Sequence, residues 1–452
     1  MKRTPFSEIN RYVQEKLGNG ELCTGELFCY IKVMQHGLSY YLNEDRRKLI
    51  RTYFSFPIFI HFAIMFLRAL LSAPAKIPSL RKALVIDAGR KVGSHSFFFG
   101  RVIESIGREN VTVINTGINP DPEADIDLSS IATAGCRPGK EEMLLLRDIR
   151  KVLARCKGSG KFTTVEMDYI QSSFHVFFEE FRRYNKLLKQ GNPRACIFIT
   201  HYHKEGLIAA LKRAGVQSME LQHGLVARND LYYIYPAQFS GVIKKGLFPD
   251  RIFVFGEYWK ELLLQGCEWD PSRIVIAGNL QWTAGELPTG EPIAKENLLL
   301  VAAQKNSTGA FIAYVRHLTS LLPSHPGWSI VVKMHPLEKE VEQYLRLQQP
   351  HVRVVGNEQS IHEWIQRARI QVSFYSTTFY DALGKNVVNF SLQNDQYEDY
   401  AREMVMDGIA LPLAMDGDPF AIWETLDDKK GQLLPRERVY SPGVPERVAE
   451  SI

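Results

Sequence analysis

Short apolar runs recur along the chain from residue 82 onward, and each ends at a glycine or at polar side chains. Runs of about four to eight apolar residues are typical of strands buried on both faces of a sheet. Between them lie stretches with apolar residues at helical spacing, such as 205–215, which ends at a glycine. The pattern predicts a first series of strands at 82–89, 111–117, 195–203 and 216–224.

A second series of apolar runs follows, again with helical stretches between them. The predicted strands are 251–256, 273–279, 297–304, 328–336, 351–356, 370–376 and 386–392, and the predicted helices include 308–322, 361–368 and 377–384. Strands that alternate with helices indicate a parallel sheet covered by helices on both faces. We therefore predict the α/β class, with two Rossmann-like domains that face a cleft and an N-terminal helical extension.

The length of 452 residues exceeds one ordinary core and agrees with several domains. We expect the two halves to join somewhere around 235–270. The expected segments are a helical extension at 1–80, a first Rossmann-like domain at 81–240, a second at 241–410, and a tail at 411–452 that returns towards the first domain. Open parallel sheets bind ligands beyond the carboxyl ends of their strands, so the polar residues at those ends are the candidates for function.

The most apolar stretch of the extension, 53–67, lies in a purely basic frame. No acidic residue occurs between Asp45 and Asp87, whereas the same window holds Arg46, Arg47, Lys48, Arg51, Arg68, Lys76, Arg81 and Lys82. An apolar helix with basic flanks is typical of a segment that lies on an anionic membrane surface. A buried core helix is the alternative, and a spanning helix would need about 20 apolar residues, more than this stretch has.

Composition and charge exclude several classes of protein. The chain is 45% hydrophobic and 23% charged, as in ordinary globular proteins. A net charge of +5 suits an anionic ligand or membrane surface, and no basic stretch interleaved with aromatic residues indicates nucleic-acid binding. The six cysteines are scattered without a CxxC pair, and the first residues lack the apolar core of a signal peptide. We expect a cytoplasmic protein, peripheral to the inner membrane.

A lysine and a histidine end the predicted strand 328–336, in the order Lys333, Met334, His335, Pro336. Both side chains can donate hydrogen bonds to a phosphate, and Pro336 restricts the conformation of His335. A polar turn after a buried strand is the alternative. The strand context favours a phosphate-binding role for Lys333 and His335.

Hydroxyl side chains cluster where the predicted strand 370–376 runs into a helix: Ser373, Ser376, Thr377 and Thr378. Hydroxyl and free N–H groups at such a junction can hold an anion, although capping of the helix alone explains the same residue types. Gln304 and Asn306 follow another strand in the same way, without a glycine-rich loop, and indicate ligand contact more weakly.

Polar residues also end the strands of the first half. Glu220 and His223 lie in the sequence ELQHG, and Asp87 ends the first strand with His95 close behind. Any of these four side chains could take a proton from a substrate hydroxyl. The alternative interpretation of each is a structural role in a buried polar turn or loop. His201-Tyr202-His203 has the spacing of a zinc-binding pair, but two ligands are too few, so we interpret it as a strand end that lines the cleft.

The motifs ELQHG at 220–224, KMHP at 333–336 and SFYSTTFYDALG at 373–384 resemble those of bacterial capsule-polysaccharide transferases of the GT-B class. That group includes transferases of Kdo and sialic acid and the related polyol-phosphate polymerases. The resemblance covers about 195–392. It implies that His335, Ser376 and Thr377 contact the donor phosphate, joined by Lys333, and that His223 has a role in the first half. Asp87-Ala88-Gly89 is the nearest match to the acidic motif that supplies the base in bacterial sialyltransferases.

The resemblance implies a glycosyltransferase, with a CMP-activated acidic sugar as the first expectation and a surface polysaccharide or glycolipid as acceptor. The first domain would bind the acceptor, with a base among Asp87, His95, Glu220 and His223. The second would bind the nucleotide-sugar through Lys333, His335, Pro336, Ser373, Ser376, Thr377, Thr378, Gln304 and Asn306. We expect no metal and no cofactor beyond the donor. The alternatives are a polyol-phosphate transferase, a sugar-nucleotide epimerase and a noncatalytic, membrane-associated assembly protein.

Overall fold

In a computed structural model, the 452-residue chain forms two compact α/β units. The first comprises the chain up to Ala284 together with Ser441–Ile452, and the second comprises Gly285–Tyr440. The structure describes all residues except 1–5, 18–29, 43–77, 88–90, 93–94, 97, 118–120, 129–130, 132–138, 229, 231, 236–245, 267–268, 281–293, 305–306, 337, 357, 395–397 and 427–433.

The first unit is built on a seven-stranded sheet in which all neighbouring strands are parallel. Its strands are β1 (Ala83–Asp87), β4 (Val111–Asn115), β5 (Ile126–Asp127), β6 (Ala195–Ile199), β7 (Gln217–Leu221), β8 (Arg251–Val254) and β9 (Ile274–Ile276), in the order β5-β4-β1-β6-β7-β8-β9. A short antiparallel ribbon pairs β2 (Lys91–Val92) with β3 (His95–Ser96). All five residues of β1 are buried, as its apolar run predicts.

Helices surround this sheet. They are α1 (Phe6–Leu17), α2 (Ile31–Leu42), α3 (Gly100–Ile106), α4 (Lys140–Gly158), α5 (Thr164–Leu188), α6 (Glu205–Ala214), α7 (Glu257–Gly266) and, after the second unit, α15 (Glu446–Ala449). Two glycines let helices approach α5 closely. A Cβ on Gly37 of α2 would lie 2.8 Å from Ile170 Cα, and one on Gly206 of α6 would lie 2.6 Å from Phe177 O.

The second unit has a six-stranded, all-parallel sheet. Its strands are β10 (Leu298–Ala302), β11 (Ser329–Lys333), β12 (Val352–Val355), β13 (Ile370–Ser373), β14 (Val388–Leu392) and β15 (Leu411–Leu413), in the order β12-β11-β10-β13-β14-β15. Numbered from β10, this order is 3-2-1-4-5-6, the doubly wound arrangement of dinucleotide-binding folds.

Successive residues of the second sheet bury against helices on opposite faces. Its helices are α8 (Thr308–Leu321), α9 (Val341–Leu345), α10 (Ile361–Arg367), α11 (Thr377–Ala382), α12 (Glu398–Met406), α13 (Pro419–Thr425) and α14 (Arg436–Val439). Leu299 and Val301 of β10 pack into one core with Phe311 of α8, whereas Leu298 and Leu300 pack into another with Trp364 of α10. This alternation follows from the two-residue period of a strand.

Two strands that we placed in the second series, at 251–256 and 273–279, belong to the first sheet. β8 pairs with β7, with Leu221 opposite Phe253, and β9 pairs with β8. The first unit therefore continues to Ala284 instead of ending near residue 240. An apolar run shows that a strand is buried but does not show which strand is its neighbour, and this is why the sequence misplaced the two strands.

The predicted tail at 411–452 was too long, because residues up to Tyr440 belong to the second unit, where β15 pairs with β14. Only Ser441–Ile452, which we call the closing segment, is bound into the first unit. Ser441 N–H donates to Phe255 O at 2.8 Å, and Val444 N–H donates to Ala277 O at 2.8 Å. Val448 is fully buried in a core with Val102 of α3. A Cβ on Gly278, which has φ 77°, would overlap the backbone of Pro442, so only glycine fits this contact.

No helix among the residues that the structure describes is long and apolar enough to cross a membrane. The apolar stretch 53–67, on which the expectation of membrane binding depends, lies outside those residues.

Candidate functional site

The order of the second sheet reverses between β10 and β13, which are adjacent strands. In open parallel sheets this point, beyond the carboxyl ends of the strands, is where ligands bind. The residues that follow β10 begin with Ala303 and Gln304, and those that follow β13 are Phe374, Tyr375 and Ser376. Gln304 and Ser376, two of the predicted donor-binding residues, therefore follow the strands at the point where open parallel sheets place a ligand.

Gln304 joins the two loops at this point. Its Nε2 donates to Tyr375 O, and Tyr375 N–H donates to Gln304 Oε1 at 3.3 Å. The amide is thus used to fix one loop on the other. Asn306, predicted beside it, lies outside the described residues.

Ser376 ends a chain of hydrogen bonds that begins inside the sheet. Gln371, fully buried on β13, donates from Nε2 to Thr378 Oγ1 at 2.5 Å. The Thr378 hydroxyl donates to Ser376 Oγ at 2.9 Å, and the Thr378 N–H donates to the same oxygen at 3.2 Å. Since Ser376 Oγ already accepts two hydrogen bonds, its own hydrogen is left to donate to another group. Donors aligned in this way strengthen one another.

The other hydroxyls of the motif have different positions. Ser373 is fully buried and donates to Ala302 O at 2.8 Å, a bond that ties β13 to β10. Thr377, the first residue of α11, is exposed. The sequence predicted all four hydroxyls as ligand contacts. In the structure Ser373 is buried, Ser376 and Thr378 are half-buried, and Thr377 is exposed.

Lys333 is the last residue of β11, the strand next to β10, and His335 lies two residues beyond it. Lys333 is 7% exposed, and its ammonium donates to Gly356 O at 2.6 Å, beyond the end of β12. β12 lies on the side of β11 away from β13, so the ammonium is directed away from the reversal point. Burial lowers the pKa of Lys333, and the charge of Glu358 opposes this shift. His335 is half-buried and Pro336 is exposed.

The first sheet reverses its order between β1 and β6. Asp87 ends β1 and is 2% exposed, and its carbonyl accepts a hydrogen bond from Thr116 N–H at 2.9 Å. His95 lies on the ribbon strand β3, and its side chain is not among those that the structure describes. Asp87 is thus the predicted residue at the reversal point of this sheet.

The turn from β6 into α6 has an unusual backbone. Thr200 has φ 53° and His203 has φ 61°, the left-handed region that residues other than glycine rarely adopt. Such conformations persist only where surrounding contacts enforce them, and they cluster at functional sites. This turn follows one of the two strands at the reversal point.

His201, between these two residues, is fully buried and contacts Glu220 of β7. Its Nδ1 lies 2.5 Å from Glu220 Oε2, and its Nε2 lies 2.8 Å from Tyr232 O. The hydroxyl of Tyr233 donates to Glu220 Oε1 at 2.5 Å. Burial alone would raise the pKa of Glu220, but His201 and Tyr233 outweigh it and hold that pKa below its ordinary value.

His223, the other polar residue of ELQHG, is half-buried beyond the end of β7. Its Nε2 lies 3.5 Å from the hydroxyl of Tyr202, whose ring stacks on Tyr232 with centroids 4.6 Å apart. Burial lowers the pKa of His223, and the charge of Glu220 opposes this shift. The imidazole is therefore neutral at neutral pH and able to accept a proton.

We did not predict from the sequence that His201 and Tyr233 contact Glu220, or that Tyr202 contacts His223. His201-Tyr202-His203 was interpreted as a strand end, and its contacts with Glu220 and Tyr232 cross from one strand to the next and to a loop. A histidine and a glutamate at equivalent ends of two consecutive strands were the available signal. Within the described part of the chain, no group of three His, Cys, Asp or Glu side chains is placed to hold a metal ion.

No family model matches the sequence, and no curated protein does. A protein from Listeria monocytogenes, assigned as a UDP-N-acetylglucosamine 2-epimerase, superposes with a TM-score of 0.50 at 15% identity over 82% of this chain and 94% of its own. The UDP-GlcNAc 2-epimerase from Neisseria meningitidis bound to UDP-GlcNAc gives 0.44 at 11% identity, over 82% and 97%. The glycosyltransferase of kitacinnamycin gives 0.47 at 12%, over 83% and 98%.

At such identities the likeness to the first of these structures concerns the fold and not the activity. It agrees with the two parallel sheets described above and confirms the predicted class of two Rossmann-like domains. The capsule-type family stays a prediction from the motifs. The chain thus has the two-domain α/β architecture of the GT-B type.

Proposed function

We propose that the protein is an enzyme that acts on a nucleotide-activated sugar, and more specifically a glycosyltransferase. The supporting observation is that Ser376, fixed by the chain from Gln371, keeps a hydroxyl hydrogen to donate at the reversal point of the second sheet. Phosphate oxygens are the natural acceptors for such a donor, because charge-assisted hydrogen bonds are the strong ones.

In this proposal the second unit binds the phosphate of the donor through Ser376, Thr377 and His335. Groups held in place before reaction stabilise the charge that develops on the departing phosphate without having to reorganise. Lys333, whose ammonium is bound to Gly356, orders the loop beyond β11 that carries His335. No metal is required by this scheme.

The first unit supplies the acceptor side of the proposed reaction. The acceptor is a surface polysaccharide or glycolipid, and the sugar is in the first instance a CMP-activated acidic sugar such as Kdo or sialic acid. Association with an anionic membrane surface, through the basic frame of 53–67, belongs to the same proposal.

A second candidate is a sugar-nucleotide epimerase, and it is favoured by the fold shared with the Listeria protein at a TM-score of 0.50. The two candidates differ in the bond that is made. An epimerase changes the configuration of the sugar nucleotide with no acceptor present, whereas a transferase releases nucleotide only as a new glycosidic bond forms. Product analysis with and without acceptor separates them.

The first test is thermal unfolding of the full chain with CMP, CDP, UDP, UMP and GDP. A ligand at one hundred times its dissociation constant stabilises the folded state by about 2.7 kcal/mol, which is readily detected. We expect a shift with CMP, and its loss or reduction in His335→Ala and Ser376→Ala. Ser391→Ala is the matched control, because Ser391 is a buried β14 serine that donates to Phe374 O, outside the chain from Gln371.

A thermal shift with CDP or UDP instead of CMP would support the same binding site and indicate a different donor nucleotide. Absence of a shift with every nucleotide would refute the proposed function and favour a noncatalytic assembly protein. An equal loss in Ser391→Ala would show that the variants act through the stability of the second unit and not through the ligand.

A further inference from the structure

Three segments at the carboxyl edge of the first sheet meet at the buried carboxylate of Glu220. They are the turn between β6 and α6 with His201, the end of β7 with Glu220 itself, and the loop that carries Tyr232 and Tyr233. The side chains of His201 and Glu220 are fully buried. A buried charge or imidazole is retained only when its hydrogen bonds are satisfied, and here both oxygens of Glu220 and both ring nitrogens of His201 have partners.

The hydrogen positions in this network follow from its partners. The carbonyl of Tyr232 can only accept, so Nε2 of His201 carries a hydrogen. Tyr233 donates its hydroxyl hydrogen to Oε1 of Glu220. One further hydrogen lies between Nδ1 of His201 and Oε2 of Glu220, which are 2.5 Å apart. The carboxylate of Glu220 thus accepts a hydrogen bond at each of its oxygens.

A lysine from α2 also binds the turn between β6 and α6. Lys32 is 1% exposed, and its ammonium donates to His201 O at 3.3 Å and to Leu247 O at 2.9 Å. It also forms an ion pair with Glu205, the first residue of α6, at 3.2 Å. The contacts of His201 with Glu220 and of Lys32 with the turn fix the backbone on which Thr200 and His203 keep their left-handed conformations.

We infer that His201, Glu220 and Tyr233 are positioning residues that hold Tyr202 and His223 as the proton-accepting pair of the first unit. The inference rests on the proposed function, since it names the base for the acceptor hydroxyl. Tyr202 follows His201 directly in the strained turn, and His223 follows Glu220 by three residues, so the buried pair fixes the backbone beneath both side chains.

Tyr202 and His223 would have different roles: Tyr202 accepts a hydrogen bond from the ring of His223, and His223 accepts the proton. When Nε2–H of His223 donates to the Tyr202 hydroxyl oxygen, 3.5 Å away, the lone pair of the ring is on Nδ1. In the transfer step the acceptor O–H bond breaks and its proton goes to Nδ1. The acceptor oxygen forms the new bond to the sugar carbon, and the bond from that carbon to the donor phosphate breaks, with its electrons leaving on the phosphate oxygen.

The charges that face His223 come from three elements. Glu220 on β7 favours the protonated imidazole, whereas Lys204 at the start of α6 and His201 in the turn oppose it. Burial lowers the pKa of His223 more than any of them. Loss of the Glu220 charge is therefore expected to lower this pKa further, which a purely structural role for Glu220 would not do.

The test follows the imidazole of His223 by NMR in the full chain labelled with ¹⁵N and ¹³C in histidine, assigned by comparison with His223→Gln. In Glu220→Gln we expect the pKa of His223 to fall, because the carboxylate charge that favours the protonated imidazole is removed. In Tyr202→Phe, which keeps the stacked ring, we expect the ¹⁵N shifts to move from the Nε2–H tautomer towards a mixture of both.

Tyr233→Phe and Tyr235→Phe form a matched pair of milder variants. Each removes one buried hydroxyl from the same loop, but Tyr233 donates to Glu220 and Tyr235 donates to Gln35 Oε1 at 3.1 Å. We expect Tyr233→Phe to alter the titration of His223 and Tyr235→Phe to leave it as in the wild type. This pair keeps the inference testable if Glu220→Gln does not fold.

An unchanged titration and tautomer of His223 in both Tyr202→Phe and Tyr233→Phe would overturn the inference, even if a nucleotide binds to the second unit. Conversely, the expected change in the titration of His223 in a protein that binds no nucleotide would support the hydrogen-bonded network around Glu220 and refute the proposed transfer reaction. The two failures are thus distinguished by the NMR titration and the nucleotide panel.

Discussion

A single partly buried carboxyl illustrates how the surroundings of a side chain determine its charge. Glu180 of α5 is partly buried, and its Oε2 accepts a hydrogen bond from Gly206 N–H at 3.0 Å. Burial raises the pKa of Glu180 from 4.5 to about 8, the charge of Glu205 adds to the shift, and Lys204 opposes it. At neutral pH the folded protein therefore keeps this proton, whereas the unfolded chain has lost it.

This difference makes stability depend on pH. Between pH 4.5 and about 8 the folded state binds one more proton than the unfolded state at Glu180, so the free energy of unfolding falls as pH rises. Glu180→Gln keeps the oxygen that accepts from Gly206 and removes the titration. We expect the free energy of unfolding of the variant, relative to that of the wild type, to rise by on the order of 2 kcal/mol between pH 5.5 and pH 8.5. Urea unfolding of both proteins at the two pH values measures this change.

Glu179→Gln is the control, because it removes a neighbouring carboxylate that pairs with Arg182 at 3.3 Å at the surface of the same helix. An equal pH dependence of the difference in both variants would contradict the assignment to Glu180.

At the residue scale the sequence identified most of the polar groups but not their partners. His335, Ser376 and Glu220 stand at strand ends because polar residues interrupt apolar runs there, and such interruptions are visible in a sequence. The bonds of Lys333 to Gly356 and of His201 to Glu220 are not visible. They join residues brought together by the order of the strands, which is a property of the whole sheet.

At the scale of elements, close packing of two helices depends on one missing methyl group. Gly206, the second residue of α6, has no room for a Cβ beside Phe177 O of α5. We expect Gly206→Ala to lower the free energy of unfolding by about 1–3 kcal/mol, because α6 must shift or α5 must deform. Chemical denaturation of the two proteins measures the difference.

The second unit offers a matched control at the same helical position. Gly309 is the second residue of α8, and a Cβ there would meet nothing within 4 Å. Gly309→Ala is expected to stabilise by up to about 1 kcal/mol, since alanine has the higher helix propensity. A loss of stability in Gly309→Ala as large as that in Gly206→Ala would show that packing against α5 is not the cause.

The existence and type of the longer strands followed from local pattern, whereas their membership of a sheet did not, and the short strands β2, β3, β5 and β15 were not predicted. β10, β11, β13 and β14 lie within the apolar runs predicted for them. β8 and β9 were equally visible as runs and were given to the wrong half. Nothing in the sequence of a strand distinguishes the next strand of one sheet from the first strand of another.

At the scale of the whole molecule, the first unit is discontinuous in sequence. Val448 of the closing segment is fully buried against α3. We expect Val448→Ala to destabilise the first unit by about 2 kcal/mol, for two lost methyl groups and the cavity they leave. Hydrogen exchange should rise in α3 and β9 while the protection of β10 to β14 stays as in the wild type.

Val387→Ala is the reciprocal variant, because Val387 is fully buried in the core of the second unit with Trp364. It should reduce protection in the second unit and leave α3 and β9 unchanged. If either variant raised exchange equally in both units, the division at Ala284 and Tyr440 would not describe independent cores.

The discontinuity also orders the events of synthesis. Domains fold as units while the chain is made, and usually the earlier one folds first. Here Val448 and the backbone partners of Phe255 and Ala277 are translated only after the whole of Gly285–Tyr440. The second unit can therefore complete its fold on the ribosome before the first unit, whose core against α3 lacks Val448 until the end of the chain has been made.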